Sequence, residues 1–138
     1  MNASPRIHTD ELRLIRKVEE NRADIIKYEE YLLADAEVAV FAYGVSGRSA
    51  KTAVEMARKE GIKAGLFRPL TIWPFPEDEV AALSARVKGI VVPELSLGQI
   101  IFEVDRCAKG RCKVEGIYRV DGDPINPAQI LAKVKEVK

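Results

Sequence analysis

The chain has 138 residues, of which 47% are hydrophobic and 31% charged, and its formal net charge at pH 7 is +1. These values are typical of a single folded domain that needs no disulfide or metal ion to hold its core. A net charge near zero creates no long-range field, so neither nucleic acid nor a membrane surface is expected as a partner. No apolar run approaches the ~20 residues of a membrane helix, and the polar N-terminus lacks a signal-peptide core. We therefore expect a cytoplasmic protein.

Cysteine and histidine are too scarce for a metal site. Cys107 and Cys112 are the only cysteines and His8 is the only histidine. A tetrahedral zinc site or an iron–sulfur cluster needs more ligands than these residues supply. No metal site is predicted, and Cys107, which continues the apolar stripe of its helix, is expected in the core.

The first third of the chain predicts a helix followed by an edge strand. Residues 9–26 form a charged amphipathic pattern of helical period, and residues 27–33 alternate apolar with charged side chains. Only Ala34 and Asp35 separate this strand from the next apolar run. A link that short permits a hairpin but not a parallel crossover, so we expect the edge strand to run antiparallel to its neighbours.

The rest of the chain alternates strands with helices. Further strands are predicted at residues 36–43, 62–67, 88–92 and 113–118, and each is followed by a helical pattern; the last helix starts at Asn126, with Pro127 at its first position. This alternation predicts a three-layer α/β/α fold around a five-stranded, mostly parallel sheet with one antiparallel edge strand. We divide the chain into a connector helix, residues 1–27, and an α/β domain, residues 28–138.

In such sheets ligands meet the loops at the carboxyl ends of the strands, and the first such loop is residues 43–49. Its two glycines allow a tight turn, Ser46 can cap the following helix, and the helix start offers N–H groups to an anion. Arg48 and Ser49 add a charge and a hydroxyl. The G-x-x-G-x-x-A spacing, together with Arg68 where a dinucleotide fold places an acid, disfavours a dinucleotide site. Two interpretations of this loop remain open. Its glycines and serine form only a turn and a helix cap, or the loop contacts a phosphate group or a partner.

The second loop, residues 68–76, contains three prolines and the only tryptophan, Trp73. Exposed aromatic side chains are typical anchors of protein interfaces. The alternative is that Trp73 folds back over the end of the sheet.

Two further loops lie at the same edge. Residues 93–99 carry the polar residues Glu94, Ser96 and Gln99, which we expect to face the edge. Residues 121–127 contain Asp-Gly-Asp, which superficially resembles the metal-pyrophosphate motif of thiamine enzymes but lacks its glycines and asparagines, and it is interpreted as a turn. No nucleophile–base pair, P-loop or H-E-x-x-H motif is present, so no catalytic residue is predicted in this chain.

Four strings, AEVAVFAYG, FRPLTIWPFP, VVPELSLGQ and GDPINP, occur in this order. Together they resemble the C-terminal, transketolase C-terminal-like domain of the α subunit of 2-oxoacid:ferredoxin oxidoreductases. The resemblance covers nearly the whole chain, and the form of the second string favours the 2-oxoglutarate type.

The resemblance implies a non-catalytic structural and interface domain. The family oxidatively decarboxylates 2-oxoacids to acyl-coenzyme A with thiamine diphosphate, magnesium and an iron–sulfur cluster, and it reduces ferredoxin. The implied partners are the thiamine-binding N-terminal domain of the α subunit and the β subunit, with coenzyme A and ferredoxin as partners of the complex, and no cofactor is expected on this chain alone. The candidate ligand or subunit-interface residues are Gly44, Ser46, Gly47, Arg48, Ser49, Arg68, Trp73, Glu94, Gly98 and Gln99.

Two other hypotheses remain. The chain could be a stand-alone binding module for coenzyme A or another phosphate-bearing ligand, with Arg48 and Arg68 as the cations. It could also be an interaction domain that binds no small molecule.

Overall fold

A computed structural model of the chain describes residues 5–94, 99–118 and 125–138. The predicted N-terminal helix is divided near Asn21 into two helices, and every predicted strand is present. The elements are α1 (Pro5–Glu20), α2 (Arg22–Ile25), β1 (Tyr28–Tyr31), β2 (Val38–Phe41), α3 (Ser46–Lys59), β3 (Ala64–Pro69), α4 (Glu77–Arg86), β4 (Gly89–Glu94), α5 (Gln99–Ala108), β5 (Lys113–Tyr118) and α6 (Pro127–Val137).

The sheet has five strands in the order β1-β3-β2-β4-β5. β1 is antiparallel to β3, and the other three pairings are parallel. Helices α3 and α6 bury their apolar sides in one core cluster, whereas α4 and α5 contribute to a second cluster that contains Phe41 and Phe67. The predicted three-layer fold with one antiparallel edge strand is therefore confirmed.

The predicted hairpin between the first two strands is wrong. β1 pairs with β3, and both edges of β2 are occupied, by β3 and β4. To reach the centre of the sheet from its edge, the chain crosses the amino end of β3 at Gly65. A Cβ atom on Gly65 would lie 2.6 Å from the carbonyl oxygen of Leu32 and 2.7 Å from Cα of Leu33. Spacing alone set the antiparallel direction correctly but could not identify the neighbouring strand.

Arg58 of α3 holds this crossing in place. Its guanidinium donates to both carboxylate oxygens of Asp35, at 2.7 and 3.1 Å, and to the carbonyl oxygen of Leu32 at 2.6 Å. Its Nε also donates to the carbonyl oxygen of Ala64 at 2.8 Å. The hydrogen bonds from Arg58 to the Asp35 carboxylate hold the pKa of Asp35 below its ordinary value.

The last helix begins where the sequence predicts. The Asn126 side chain accepts a hydrogen bond from the backbone N–H of Ala128 at 2.8 Å, and the Gln129 side chain accepts one from the N–H of Asn126 at 3.0 Å. This capping box fixes the start of α6 and the packing of its apolar side on the core. Among the described residues, no helix combines the length and the hydropathy that a membrane crossing requires.

Candidate functional site

The strand order creates a crevice between β2 and β4 at the carboxyl edge of the sheet. From β2 the chain continues into α3 on one face of the sheet, and from β4 it leads to α5 on the opposite face. Helices α3 and α5, which follow these two neighbouring strands, therefore lie on opposite faces of the sheet. In open α/β sheets such a switch point is the usual place for a ligand.

The loop after β2 begins α3 in a way that the sequence did not predict. Gly44 has φ +65°, and its carbonyl oxygen accepts a hydrogen bond from the N–H of Gly47 at 3.1 Å. This turn makes Val45 the residue at the N-cap position, so Ser46 lies in the first turn and does not cap the helix. Ser46 is only 5% exposed, and no side chain caps this helix. The predicted serine cap is wrong.

Arg68, at the end of β3, joins the same site. A Cβ atom on Gly47 would lie 2.8 Å from Nε of Arg68, so the absence of a side chain at this position lets the guanidinium lie across the start of α3. The nearest acid is Glu29 of β1, at 3.7 Å. Two candidate regions that lie far apart in the sequence are thus in contact.

An open groove of about 980 Å³ lies between β1 and α3, and we call it the basic groove. Its cations are Arg48, Lys51 and Arg68, and Glu29 and Glu30 of β1 also line it. The remaining lining residues are Tyr31, Gly44, Val45, Gly47 and Leu66.

Lys51 and Tyr31 also line the basic groove, although neither is a candidate from the sequence. Nζ of Lys51 lies 4.9 Å from the centre of the Tyr31 ring, a cation–π contact. The Tyr31 hydroxyl donates to Glu55 at 2.9 Å, and this hydrogen bond raises the pKa of Tyr31. Lys51 follows Arg48 by three residues on the same helix, so helical spacing could have indicated it.

A smaller cavity of about 300 Å³ occupies the crevice between β2 and β4, and we call it the switch crevice. Apolar side chains form most of its wall, and Gly44 and Val45 line both cavities. The residues of the switch crevice are Tyr43, Gly44, Val45, Ser46, Pro93, Glu94 and Ile100.

Glu94 has a structural task at the floor of this crevice. Its side chain is 4% exposed and accepts hydrogen bonds from the backbone N–H groups of Ile100, at 2.8 Å, and Ile101, at 3.2 Å. It therefore caps α5 from the end of the preceding strand. Gln99 begins α5 and is exposed. Gly98, like Ser96 and the predicted Asp-Gly-Asp turn, lies outside the described residues.

Several large apolar side chains are exposed where β2 and β3 end, and we call Tyr43, Val45, Leu70 and Trp73 the apolar edge. Trp73 is 67% exposed and Val45 is 72% exposed. The alternative in which Trp73 folds back over the sheet is therefore wrong. Instead Phe75 turns inward, with its ring centre 5.7 Å from that of Phe41.

The thiols lie away from both cavities. Cys107 is buried, as predicted, and burial raises the pKa of both Cys107 and Cys112. Across the part of the chain that the structure describes, no cluster of three or more His, Cys, Asp or Glu residues could hold a metal ion. Ser49 is half-buried on α3 and lines neither cavity.

Comparison with known proteins identifies the fold family. The family profile of the pyruvate:ferredoxin oxidoreductase core domain II matches residues 36–130. The ketoisovalerate oxidoreductase subunit VorB of Methanothermobacter thermautotrophicus is 42% identical over 121 residues, 88% of this chain and 33% of the relative. The 2-oxoglutarate synthase subunit KorA of Methanothermobacter marburgensis is 37% identical over 126 residues, 91% of this chain and 34% of the relative.

A solved structure gives the same result. The chain is similar to a 2-oxoglutarate:ferredoxin oxidoreductase from Magnetococcus marinus with a TM-score of 0.75 and 25% identity, over 98% of this chain and 24% of that one. The chain spans about a third of the length of the curated relatives that it matches. The resemblance found in the sequence is confirmed, and the chain belongs to the pyruvate:ferredoxin oxidoreductase core domain II family.

Proposed function

We propose that the chain is a non-catalytic interface domain of the α subunit of a 2-oxoacid:ferredoxin oxidoreductase, of the 2-oxoglutarate type. In this assembly a 2-oxoacid is oxidatively decarboxylated to an acyl-coenzyme A and ferredoxin is reduced. The proposed partners of the domain are the thiamine-binding part of the α subunit and the β subunit.

The observation that carries the proposal is the apolar edge. Trp73 and Val45 are the most exposed of its members, and both lie where parallel strands end. Exposed aromatic and aliphatic side chains at one edge mark a surface that another polypeptide covers. Tryptophan is also enriched among the residues that dominate binding energy at interfaces.

The choice of assembly rests on the relatives. Those that match over most of this chain are named as subunits of 2-oxoglutarate synthase and ketoisovalerate oxidoreductase, and the similar solved structure is of the 2-oxoglutarate type. A 2-oxoglutarate substrate agrees with the interpretation of the FRPLTIWPFP string. The cytoplasmic location stays a prediction.

The cofactors of such an assembly do not fit the described residues of this chain. No acidic or thiol cluster suits a magnesium ion, and two cysteines cannot supply the four thiolates of an iron–sulfur cluster. As part of the proposal, we assign thiamine diphosphate, magnesium and the iron–sulfur cluster to the other parts of the assembly.

The single tryptophan makes the proposal testable. The chain is mixed with the thiamine-binding α part and the β subunit of a 2-oxoglutarate:ferredoxin oxidoreductase. We expect the fluorescence of Trp73 to shift to shorter wavelength and to lose its quenching by iodide, because the indole becomes covered. Reduction of ferredoxin that depends on 2-oxoglutarate and coenzyme A should require the chain.

A pair of variants separates the interface from general stability. Trp73→Ser should weaken association about 30-fold, the size of an interface hot spot. Leu32→Asn removes an exposed apolar side chain beside the amino end of β3, at a position whose φ of +52° suits asparagine, and association should not change. The proposal fails if Trp73 stays accessible to iodide in the mixture, or if the other two components are equally active without the chain.

A further inference from the structure

One edge of the sheet is open along a whole strand. β5 pairs only with β4, in one register over all six of its residues. The N–H of Lys113 donates to the carbonyl oxygen of Lys88, which directly precedes β4, at 3.2 Å. Because backbone groups alternate sides along a strand, the N–H and C=O groups of Val114 and Gly116 point away from the sheet. No described strand pairs with this outer side, which we call the β5 edge.

The β5 edge lacks two devices that usually prevent a strand edge from pairing. The strand contains no proline, and its uniform register leaves no bulge. Its charged side chains are one base and one acid, Lys113 and Glu115. The opposite edge, β1, has four residues, and its adjacent acids Glu29 and Glu30 would face the same acids in a second copy. β5 is therefore the edge that suits self-association.

The two charges of the β5 edge lie on the same face of the strand. Lys113 and Glu115 alternate with their neighbours in the same phase as Ile117, which packs against the core cluster of α3 and α6. Both are exposed, and neither forms a salt bridge with a described residue. Lys133 of α6 attracts Glu115 but pairs with Glu136, at 3.1 Å. One free base and one free acid are thus available to a partner on the α6 side.

Antiparallel pairing of two β5 edges is complementary in charge in one register. When the two-fold axis passes between the Val114 residues of two copies, Lys113 of each copy lies opposite Glu115 of the other. Val114 takes the hydrogen-bonded position, so both ion pairs occupy non-hydrogen-bonded positions, where side chains are closest. A shift by two residues places either Lys113 or Glu115 opposite itself, according to its direction. A shift by one residue would exchange the faces of the strand.

We propose that the β5 edge binds a second copy of this chain, so that two five-stranded sheets join into one ten-stranded sheet with two-fold symmetry. The outward backbone groups of the strand supply the hydrogen bonds, and the two ion pairs fix the register. The same strand contributes from both copies, as in other isologous interfaces. This surface goes beyond the proposed function, because β5 contributes nothing to the apolar edge and the partner is a like chain.

Exposed aromatic side chains add apolar area beside this strand. Tyr118, at the end of β5, is 48% exposed, and Phe102, on the helix that packs against β5, is 71% exposed. Neither belongs to the apolar edge. Contact between two copies along β5 gives these side chains a surface to cover.

Sedimentation velocity over a series of concentrations of the 138-residue chain tests the proposal. We expect a reversible dimer. Lys113→Glu and Glu115→Lys should each weaken it about 20-fold, because each turns two attractive cross-strand pairs into two repulsive ones. An equimolar mixture of the two variants should recover the native affinity, since one variant presents only acids at these positions and the other only bases.

A control and a second measurement separate edge pairing from other contacts. Lys59→Glu makes the same charge change at an exposed position of α3 and should leave the affinity unchanged. Hydrogen exchange of the Val114 and Gly116 amides should slow as the concentration of the native chain rises through the dimerisation midpoint, because these N–H groups become paired. Circular dichroism checks that each variant is folded.

Four results would each overturn the proposal. They are a chain that stays monomeric throughout the series, equal losses in Lys113→Glu and Lys59→Glu, a mixture of the two variants that does not associate, and protection of the Val114 amide only after the thiamine-binding α part or the β subunit is added. Trp73→Ser should leave self-association unchanged, and Lys113→Glu should leave the shielding of Trp73 in the mixed assembly unchanged. The two proposals therefore fail independently.

Discussion

Helices α3 and α5 begin at the same edge of the sheet, yet their first turns are satisfied in opposite ways. At α5 the buried carboxylate of Glu94 accepts two backbone hydrogen bonds, so the chain itself supplies the anion. At α3 no side chain caps the helix, no acid lies in the first turn, and Arg68 lies across it. The start of α5 is therefore closed by a carboxylate of the chain, whereas the start of α3 keeps the positive charge of its free N–H groups without a capping side chain.

The largest expected effect comes from removing the internal anion at α5. Glu94→Ala leaves two partly buried N–H groups without their acceptor, and the free energy of unfolding should fall by about 2 kcal/mol. Urea denaturation monitored by circular dichroism measures this. Glu11→Ala, at an exposed position of α1, is the matched control and should change the value by less than about 0.5 kcal/mol. Equal effects in the two variants would contradict a capping role for Glu94.

A smaller effect is expected from giving α3 the anion that it lacks. Val45→Asp places a carboxylate at the N-cap position of α3, on a side chain that is exposed in the native chain. The free energy of unfolding should rise by about 0.5 kcal/mol at low salt, because the new carboxylate lies at the positive end of the helix dipole. Val45→Asn, which adds a polar side chain without charge, should leave a salt-independent and smaller gain. An equal gain in Val45→Asp at low and at high salt would contradict an electrostatic effect at this helix start.

The smallest effect concerns the other end of α3, where the chain does supply an ion pair. Arg58 lowers the pKa of Asp35 from its ordinary value of 3.8, so the pair stabilises the folded state at neutral pH. This contribution should disappear as the pH falls through the lowered pKa. Asp35→Asn should therefore be slightly less stable than the native chain near pH 7, and the difference should be small because solvent screens this partly exposed pair. The two proteins should converge in acid.

Thermal unfolding measured across the acid range tests this convergence. Asp105→Asn, at an exposed position of α5, is the control and should show no such pH-dependent difference. A gap between Asp35→Asn and the native chain that stays constant with pH would argue against the ion pair.

The sequence predicts best those elements whose signals are local. α6 lies where expected, because a capping asparagine, a proline and a regular apolar period define it without reference to the rest of the chain. β5 also has the predicted bounds. Trp73 illustrates the limit: its aromatic character is visible in the sequence, but its exposure follows from Phe75 taking the inward position.

The errors concern choices that only the tertiary structure makes. The prediction that β1 pairs with β2 is wrong because β3 and β4 occupy both edges of β2, and this strand order is a property of the whole sheet. Ser46 does not cap α3 because the turn at Gly44 starts the helix one residue earlier than a cap at Ser46 requires. Lys51 and Tyr31 were missed because β1 reaches the groove only through its pairing with β3.

The crossing at Gly65 links distant parts of the molecule through one short strand. At its amino end β3 lies directly beneath the backbone of Leu32 and Leu33, and at its carboxyl end it leads to Arg68 and, beyond it, Trp73. β3 is hydrogen-bonded on both sides, to β1 and to β2. The same strand therefore joins the crossing at Gly65 to the basic groove and the apolar edge, and its Leu66 and Phe67 belong to the two core clusters.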